Sequence, residues 1–217
     1  MYGTIDNTTE DSADTKLINL QYSLNGGSWS KYTLGTTVNM DENGYVEFKA
    51  LGSNETVSKS DINYYRFTID KKVNASGNIQ SLLVEDGFKD KTDVPADCYN
   101  SMFNGCTGLQ TAPHLPATTL ADSCYTIMFY GCISLRTAPD LPATTLANFC
   151  YYNMFNGCTG LQTAPHLPAT TLANSCYSYM FYECTKFNSV NMKKSMKGVY
   201  STSTHGNIGK TVNYVLD

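Results

Sequence analysis

Charge is what this chain has least of. Only 16% of its 217 residues are Asp, Glu, Lys or Arg, and between Cys98 and Tyr182 only Asp122, Arg136 and Asp140 carry a formal charge. No basic stripe exists, which excludes the electrostatic footprint of nucleic-acid binding. No apolar run approaches the roughly 18 residues that cross a bilayer as a helix, so no membrane insertion of the chain as given is expected. The opening Met1-Tyr2-Gly3-Thr4 has neither a charged n-region nor an apolar core. A composition rich in Ser, Thr, Asn and Tyr leans towards export, so an extracellular or cell-surface location is expected, with the signal peptide trimmed. Gly-rich phosphate loops, HExxH and GxSxG are all missing. Without such machinery the chain is expected to be no enzyme and to carry no cofactor.

What is present is a repeat. CYNSMFNGCTGLQTAPHLPATTLADS, residues 98–123, returns from 124, again from 150, and in a decaying fourth copy from 176. The period is 26 residues without insertions. Self-similarity at such a period indicates stacked units, because one unit cannot bury its apolar face alone.

The chain divides around this repeat. Residues 1–15 are polar and acidic and read as a flexible tail. Residues 16–76 hold short alternating runs (LINLQYSL, WSKYTL, TTVNM, YVEFKAL, YYRFTID) between NGG, DENG and GSN turns. That pattern predicts a small antiparallel β-sandwich-like domain. Tyr45, Glu47 and Lys49 alternate with Val46, Phe48 and Ala50, as in a strand with one wet face. Trp29, the only tryptophan, is expected to anchor the core of this domain. Residues 77–217 are read as the repeat region with its caps. The N-terminal cap is placed in frame because Leu83 lies 26 residues before Leu109. Residues 187–190 are read as the last strand of the repeat and 211–217 as a closing strand. Lys186, Lys193, Lys194 and Lys197 read as a solvated basic end.

Within a copy, Cys98, Met102, Phe103 and Cys106 fall at i, i+4, i+5 and i+8, the spacing of one helix face. Asp97, Ser123 and Ser175 suit N-caps, and Gly105, Gly131 and Gly157 suit the residue just past a helix end. LQTAP then reads as a short strand cut off by proline, and HLPATTL returns to the next helix. The fold class expected is therefore α+β: a short solenoid of strand, turn and short helix behind the β domain.

The unit resembles the BspA-like leucine-rich repeats of bacterial surface proteins. The resemblance rests on Phe103-Asn104-Gly105-Cys106 and Leu109-Gln110-Thr111-Ala112-Pro113, repeated at 129–139 and 155–165, and covers about residues 83–190. It implies a non-enzymatic secreted or surface protein, binding host, matrix or microbial surface proteins or glycans through the repeat. It also implies that the strands line the concave binding side. The alternative is a structural spacer or surface-layer component with no ligand of its own. A monomer is expected.

Three sets of residues could carry function. His114, Asp140 and His166 share one repeat position and would stack about 5 Å apart, with a carboxylate between two imidazoles. Such a file can serve metal or acid–base chemistry but is more often a polar-tolerant turn, so no metal site is expected. Gln110, Arg136 and Gln162 form a second file on the same strands, and the two files are the expected binding surface. The tyrosines (Tyr99, Tyr125, Tyr151 and Tyr177 in one column, with Tyr130, Tyr152, Tyr179 and Tyr182 besides) could hold glycans or peptides if exposed. The alternative for them is partial burial between neighbouring helices.

The eight cysteines lack any CxxC pair, which makes a zinc site improbable. Eight residues of helix separate Cys98 from Cys106 by about 12 Å, too far for a bridge. Neighbouring helices about 8–10 Å apart would keep successive copies unbridged too. Two columns of buried free thiols are expected. LPATT at 115–119, 141–145 and 167–171 imitates a sorting signal, but no glycine follows and it reads as a repeat turn. The N-x-[ST] sequons at Asn7, Asn54 and Asn74 read as chance matches.

Overall fold

The computed structural model describes residues 2–7, 18–40, 44–58, 64–69 and 71–186. The expectations for 187–190, for Lys193, Lys194 and Lys197 and for 211–217 lie outside the described residues. The N-terminal part contains β1 (Tyr2–Asn7), β2 (Leu20–Leu24), β3 (Ser30–Lys31), β4 (Thr37–Asn39), β5 (Val46–Ala50) and β6 (Tyr65–Ile69). They form two antiparallel sheets ordered β4-β1-β6 and β3-β2-β5. The stretch expected as a flexible tail thus contributes β1, whose Gly3 to Asn7 pair with Ile69 to Tyr65.

Aromatic rings join the two sheets. Phe48 on β5 meets Phe67 on β6 at 5.5 Å and Tyr32 at 5.4 Å, both edge to face. Such pairs add to the area they bury because a ring's positive edge meets a negative face. Trp29 is not in this core. Its ring is 40% exposed and lies 4.5 Å beneath the Lys49 ammonium, a surface cation–π contact. Asn54, one of the sequon asparagines, is buried. Its amide nitrogen donates to the Asn19 and Leu82 carbonyls, and its oxygen accepts from the Asn19 N–H.

The strand–turn–helix solenoid expected for the repeats is overturned. Among the described residues there is no α-helix, only two 3-10 turns at Ile79–Leu82 and Phe88–Asp90. Residues 97–106 and their copies are chains of tight turns instead, and the hydrogen bonds give the reason. The Asn100, Met102, Asn104 and Cys106 N–H groups close back on the carbonyl three residues earlier, at 2.9–3.2 Å. The alternating Asp97, Tyr99, Ser101, Phe103 and Gly105 N–H groups leave the copy altogether. They donate to Asp122, Cys124, Thr126, Met128 and Tyr130 of the next copy at 2.8–3.0 Å. A helix would turn the donors beyond its first turn back on carbonyls four residues earlier. Here half of them stitch one 26-residue layer to the next.

Each turn chain bends at every fourth residue. Asp97, Ser101 and Gly105 have φ of 55°, 61° and 72°, and the corners recur at Ser123, Ile127 and Gly131, at Phe149, Asn153 and Gly157, and at Ser175, Tyr179 and Glu183. Asp97, Ser123 and Ser175 are therefore left-handed corners rather than helix caps. The glycines occupy positive φ as expected, but at the end of a turn chain.

Stacking puts identical side chains over one another. Phe67, Phe103, Phe129, Phe155 and Phe181 form a column with ring centroids 5.2–5.7 Å apart and planes within 11°. Tyr99, Tyr125, Tyr151 and Tyr177 form another at 5.6–5.8 Å, and all four are buried. β6 belongs to both parts of the chain, since Phe67 starts the phenylalanine column. Next to it, β7 (Val73–Asn74) pairs in parallel with β8 (Leu109–Thr111). The layer beneath the first copy therefore sets Val73, not Leu83, beside Leu109. Beyond β8 the predicted strand of the repeat shrinks to a single parallel bridge, Thr137 with Thr163, and further single bridges join Asp93 to Thr119 and Thr119 to Thr145.

Candidate functional site

All eight cysteines are free and buried. Cys106, Cys132, Cys158 and Cys184 donate their S–H to the carbonyls of Phe67, Phe103, Phe129 and Phe155 one layer back, at 2.9–3.1 Å. Burial pushes the thiols of Cys98, Cys106, Cys150 and Cys184 up to about 12, so they stay protonated near neutrality. A protonated buried thiol is neither a nucleophile nor a ready metal ligand. Among the described residues no group of three or more His, Cys, Asp or Glu could hold a metal ion.

The two polar files fare differently. Arg136, Asp140, Gln162, His114 and His166 are exposed and Gln110 is half-buried. Arg136 and Gln162 are neighbours, because the Gln162 N–H donates to the Arg136 carbonyl at 3.0 Å. His114 is tied on its other side to the layer beneath: its N–H donates to Gly77 and its carbonyl accepts from Ile79. These residues sit on the segment carrying the Thr137–Thr163 bridge and the threonine bridges, an open polar surface.

The tyrosines divide into two groups. The Tyr99 column is wholly interior, and the Tyr99 hydroxyl is engaged by the Ile79 carbonyl and Gln80 Oε1. The others face outward from the turn chains: Tyr130 and Tyr179 are 42% exposed, Phe149 is 38% exposed, and Tyr152 and Tyr182 are half-buried. Four of these rings form a continuous row. Phe149 meets Tyr152 at 5.8 Å, Tyr152 meets Tyr179 at 6.1 Å, and Tyr179 meets Tyr182 at 6.1 Å, each near perpendicular.

The backbone beneath the row is firmly bonded. Tyr152 N–H donates to Phe149, Tyr182 to Tyr179, Asn153 to Ser178 and Gly157 to Tyr182, at 2.8–3.1 Å. Alongside runs a ladder of side chains in which Asp122 Oδ1 accepts from the Asn148 N–H and Asn148 Oδ1 from the Asn174 N–H. The row is partly legible in the sequence, where its Tyr152, Tyr179 and Tyr182 stand out. Phe149 was missed because its position holds Ser123 and Ser175 in the other copies.

No family model, no curated protein and no solved structure matches the chain. No helix among the described residues is long and apolar enough to cross a membrane.

Proposed function

We propose that the chain is a non-enzymatic, secreted or cell-surface binding module that meets a protein or glycan partner through its repeats. One observation carries this reading: the copies keep five core residues and change the positions between them, which brings exposed aromatics to the surface at Tyr130 and Tyr179. Cys, Tyr, Met, Phe and Cys at 98, 99, 102, 103 and 106 recur unchanged in all four copies and are buried in each. Asn100, Ser101 and Asn104 become Thr126, Ile127 and Tyr130, then Tyr152, Asn153 and Asn156, then Ser178, Tyr179 and Tyr182; Asn100, Ser101, Thr126, Asn156 and Ser178 are buried, the rest half-buried or exposed. A constant scaffold with a changing outer face is how repeat proteins build recognition surfaces. The resemblance of the Phe-x-Gly-Cys step to BspA-like surface repeats supports the same direction.

The experiment is a screen of the intact chain against immobilised matrix proteins and glycans. Saturable binding to at least one is expected, and its absence from both sets would sink the reading.

A second reading, a structural spacer, is favoured by the uniformity of residues 111–121. They recur at 137–147 and 163–173 with a single change, His114 to Asp140 and back to His166. A spacer would bind nothing on the array, and replacing Arg136 or Asp140 would alter no binding.

A further inference from the structure

We infer that the row Phe149–Tyr152–Tyr179–Tyr182 is a docking strip for an extended, uncharged polysaccharide, which presupposes that the chain is a binding module. Phe149 and Tyr179 stand at left-handed corners, with φ of 56° and 55°, where a bulky side chain is disfavoured. Other copies fill the first corner with Asp97, Ser123 and Ser175 and the second with Ser101, Ile127 and Asn153, none of them aromatic, and Asp and Asn are the types that tolerate this conformation. The fold does not ask for aromatics there. Strained aromatic corners gathered on one face, over a backbone already bonded in place, point to a ligand rather than to packing.

The chemistry of the strip selects the partner. Its rings follow one another at 5.8–6.1 Å across two adjoining layers, a step similar to the rise of one sugar ring in an extended glycan. Pyranose rings present C–H faces that pack on aromatic rings, while their hydroxyls seek polar neighbours. Tyrosine supplies both an apolar body and a wet tip. Asn153, whose Oδ1 accepts from Asn156 Nδ2, and the exposed Asn174 give the strip a polar border. Aromatic platforms for single-stranded nucleic acid need a basic groove to follow the phosphates. Here the formal charges at hand are Glu183, beside Tyr182, and Asp122, whose carboxylate accepts from the N–H of Asn148 next to Phe149, with Lys186 four residues past Tyr182. An acidic group near each end of an otherwise neutral strip disfavours polyanions and leaves uncharged chains.

The test is affinity electrophoresis of the full chain in gels containing hydroxyethylcellulose, galactomannan, xylan or starch, with heparin and alginate as charged controls. Retardation by at least one uncharged polysaccharide and by neither polyanion is expected. The double variant Phe149→Ser/Tyr179→Asn uses residues the same corners already hold in other copies, so its melting temperature should not fall. Its affinity should drop at least tenfold. Failure of every uncharged polysaccharide, or a variant that binds as tightly as the parent, overturns the inference. If the chain then still binds an immobilised matrix protein, the binding-module reading survives alone; if it binds neither, both fall. Sedimentation that shows a parent dimer abolished in the variant would reassign the row to self-association and likewise overturn it.

Discussion

Two stretches of the same repeat diverge in how much change they admit. From 98–108 to 124–134 and 150–160, five of eleven positions differ among the copies; from 111–121 to 137–147 and 163–173, one of eleven does. Exposure does not explain this, because the unchanging Thr118 and Thr119 are exposed while most of the turn corners are half-buried and Ser101 is buried. Backbone bonding does. In the turn chain every N–H from Asn100 to Cys106 has a carbonyl partner, within the turn or in the next layer, so the outer side chains are not needed to hold the path. Residues 111–121 include Pro113 and Pro116, which can donate nothing. That path is held by fixed proline dihedrals, by buried Leu115, Ala117 and Leu120 and by sparse threonine bridges. Where the backbone bonds itself, the sequence is free to vary, and that is where the aromatic row arose.

Raising the pH should break the interior on which both stretches depend, with the largest effect. Burial is the first cause raising each of the eight thiols above 9.0. A raised folded-state value means the stability is fully present below the unfolded value. It is lost as the pH climbs from there through the folded value of about 12 given for Cys98, Cys106, Cys150 and Cys184. Each thiol contributes about 1.4 kcal/mol per pH unit in that window, against a total stability of about 5–15 kcal/mol. Cooperative unfolding with a midpoint between about pH 9 and 11 is expected, followed by near-ultraviolet circular dichroism. A native spectrum persisting beyond that range would contradict it. Below the window, a maleimide should label no thiol in the folded chain and all eight in urea.

Next in size is the phenylalanine column. Phe129 is fully buried between Phe103 and Phe155, so Phe129→Ala should cost about 3–5 kcal/mol. A urea titration measures this, and a loss below about 1 kcal/mol would mean the layers pack more loosely than the ring stacking indicates. A smaller loss is expected at Gly160, in the turn chain's own copy but pressed inward. A Cβ there would collide with the Ile133 and Leu135 carbonyl oxygens of the layer beneath. Gly160→Ala should destabilise by about 1–3 kcal/mol in the same titration, whereas the outward change Phe149→Ser should not destabilise at all.

Much of this is legible in the sequence. The period, the two cysteine columns and the buried Met102, Phe103, Leu109 and Leu115 follow from spacing and composition. The helix was misread because Cys98, Met102 and Cys106 repeat every four residues, close enough to 3.6 to pass for one helical face. Over eight residues an α-helix would turn such a line steadily aside, while turns bent at every fourth residue keep it straight. The Asn-Gly pairs at 104–105 and 156–157 were the contrary signal, since that dipeptide marks turns. Layer spacing was misjudged for the same reason: helices would lie far apart, but backbone-bonded layers set their rings within 5.8 Å. The outward aromatic row was legible only as part of a list of tyrosines. Which of them are interior depends on whether a position faces the column or the corner, and that required the turn geometry.

The smallest expected effect sharpens the comparison most, because its sign is opposite. Ile127 is a β-branched residue at φ 58°, where its branched Cβ crowds the following carbonyl. The equivalent corner in the next copy is Asn153, at φ 54°. Ile127→Asn removes a strained, half-buried side chain and installs a residue suited to the left-handed region. Its N–H still donates to the Tyr152 carbonyl at 2.8 Å, since that bond belongs to the backbone. The variant should therefore be more stable than the parent by about 0.5–1 kcal/mol, read as a small rise in melting temperature. A loss of similar size would show that Ile127 packs to structural purpose, and the outer corners would then be less free of the fold than their variation among copies implies.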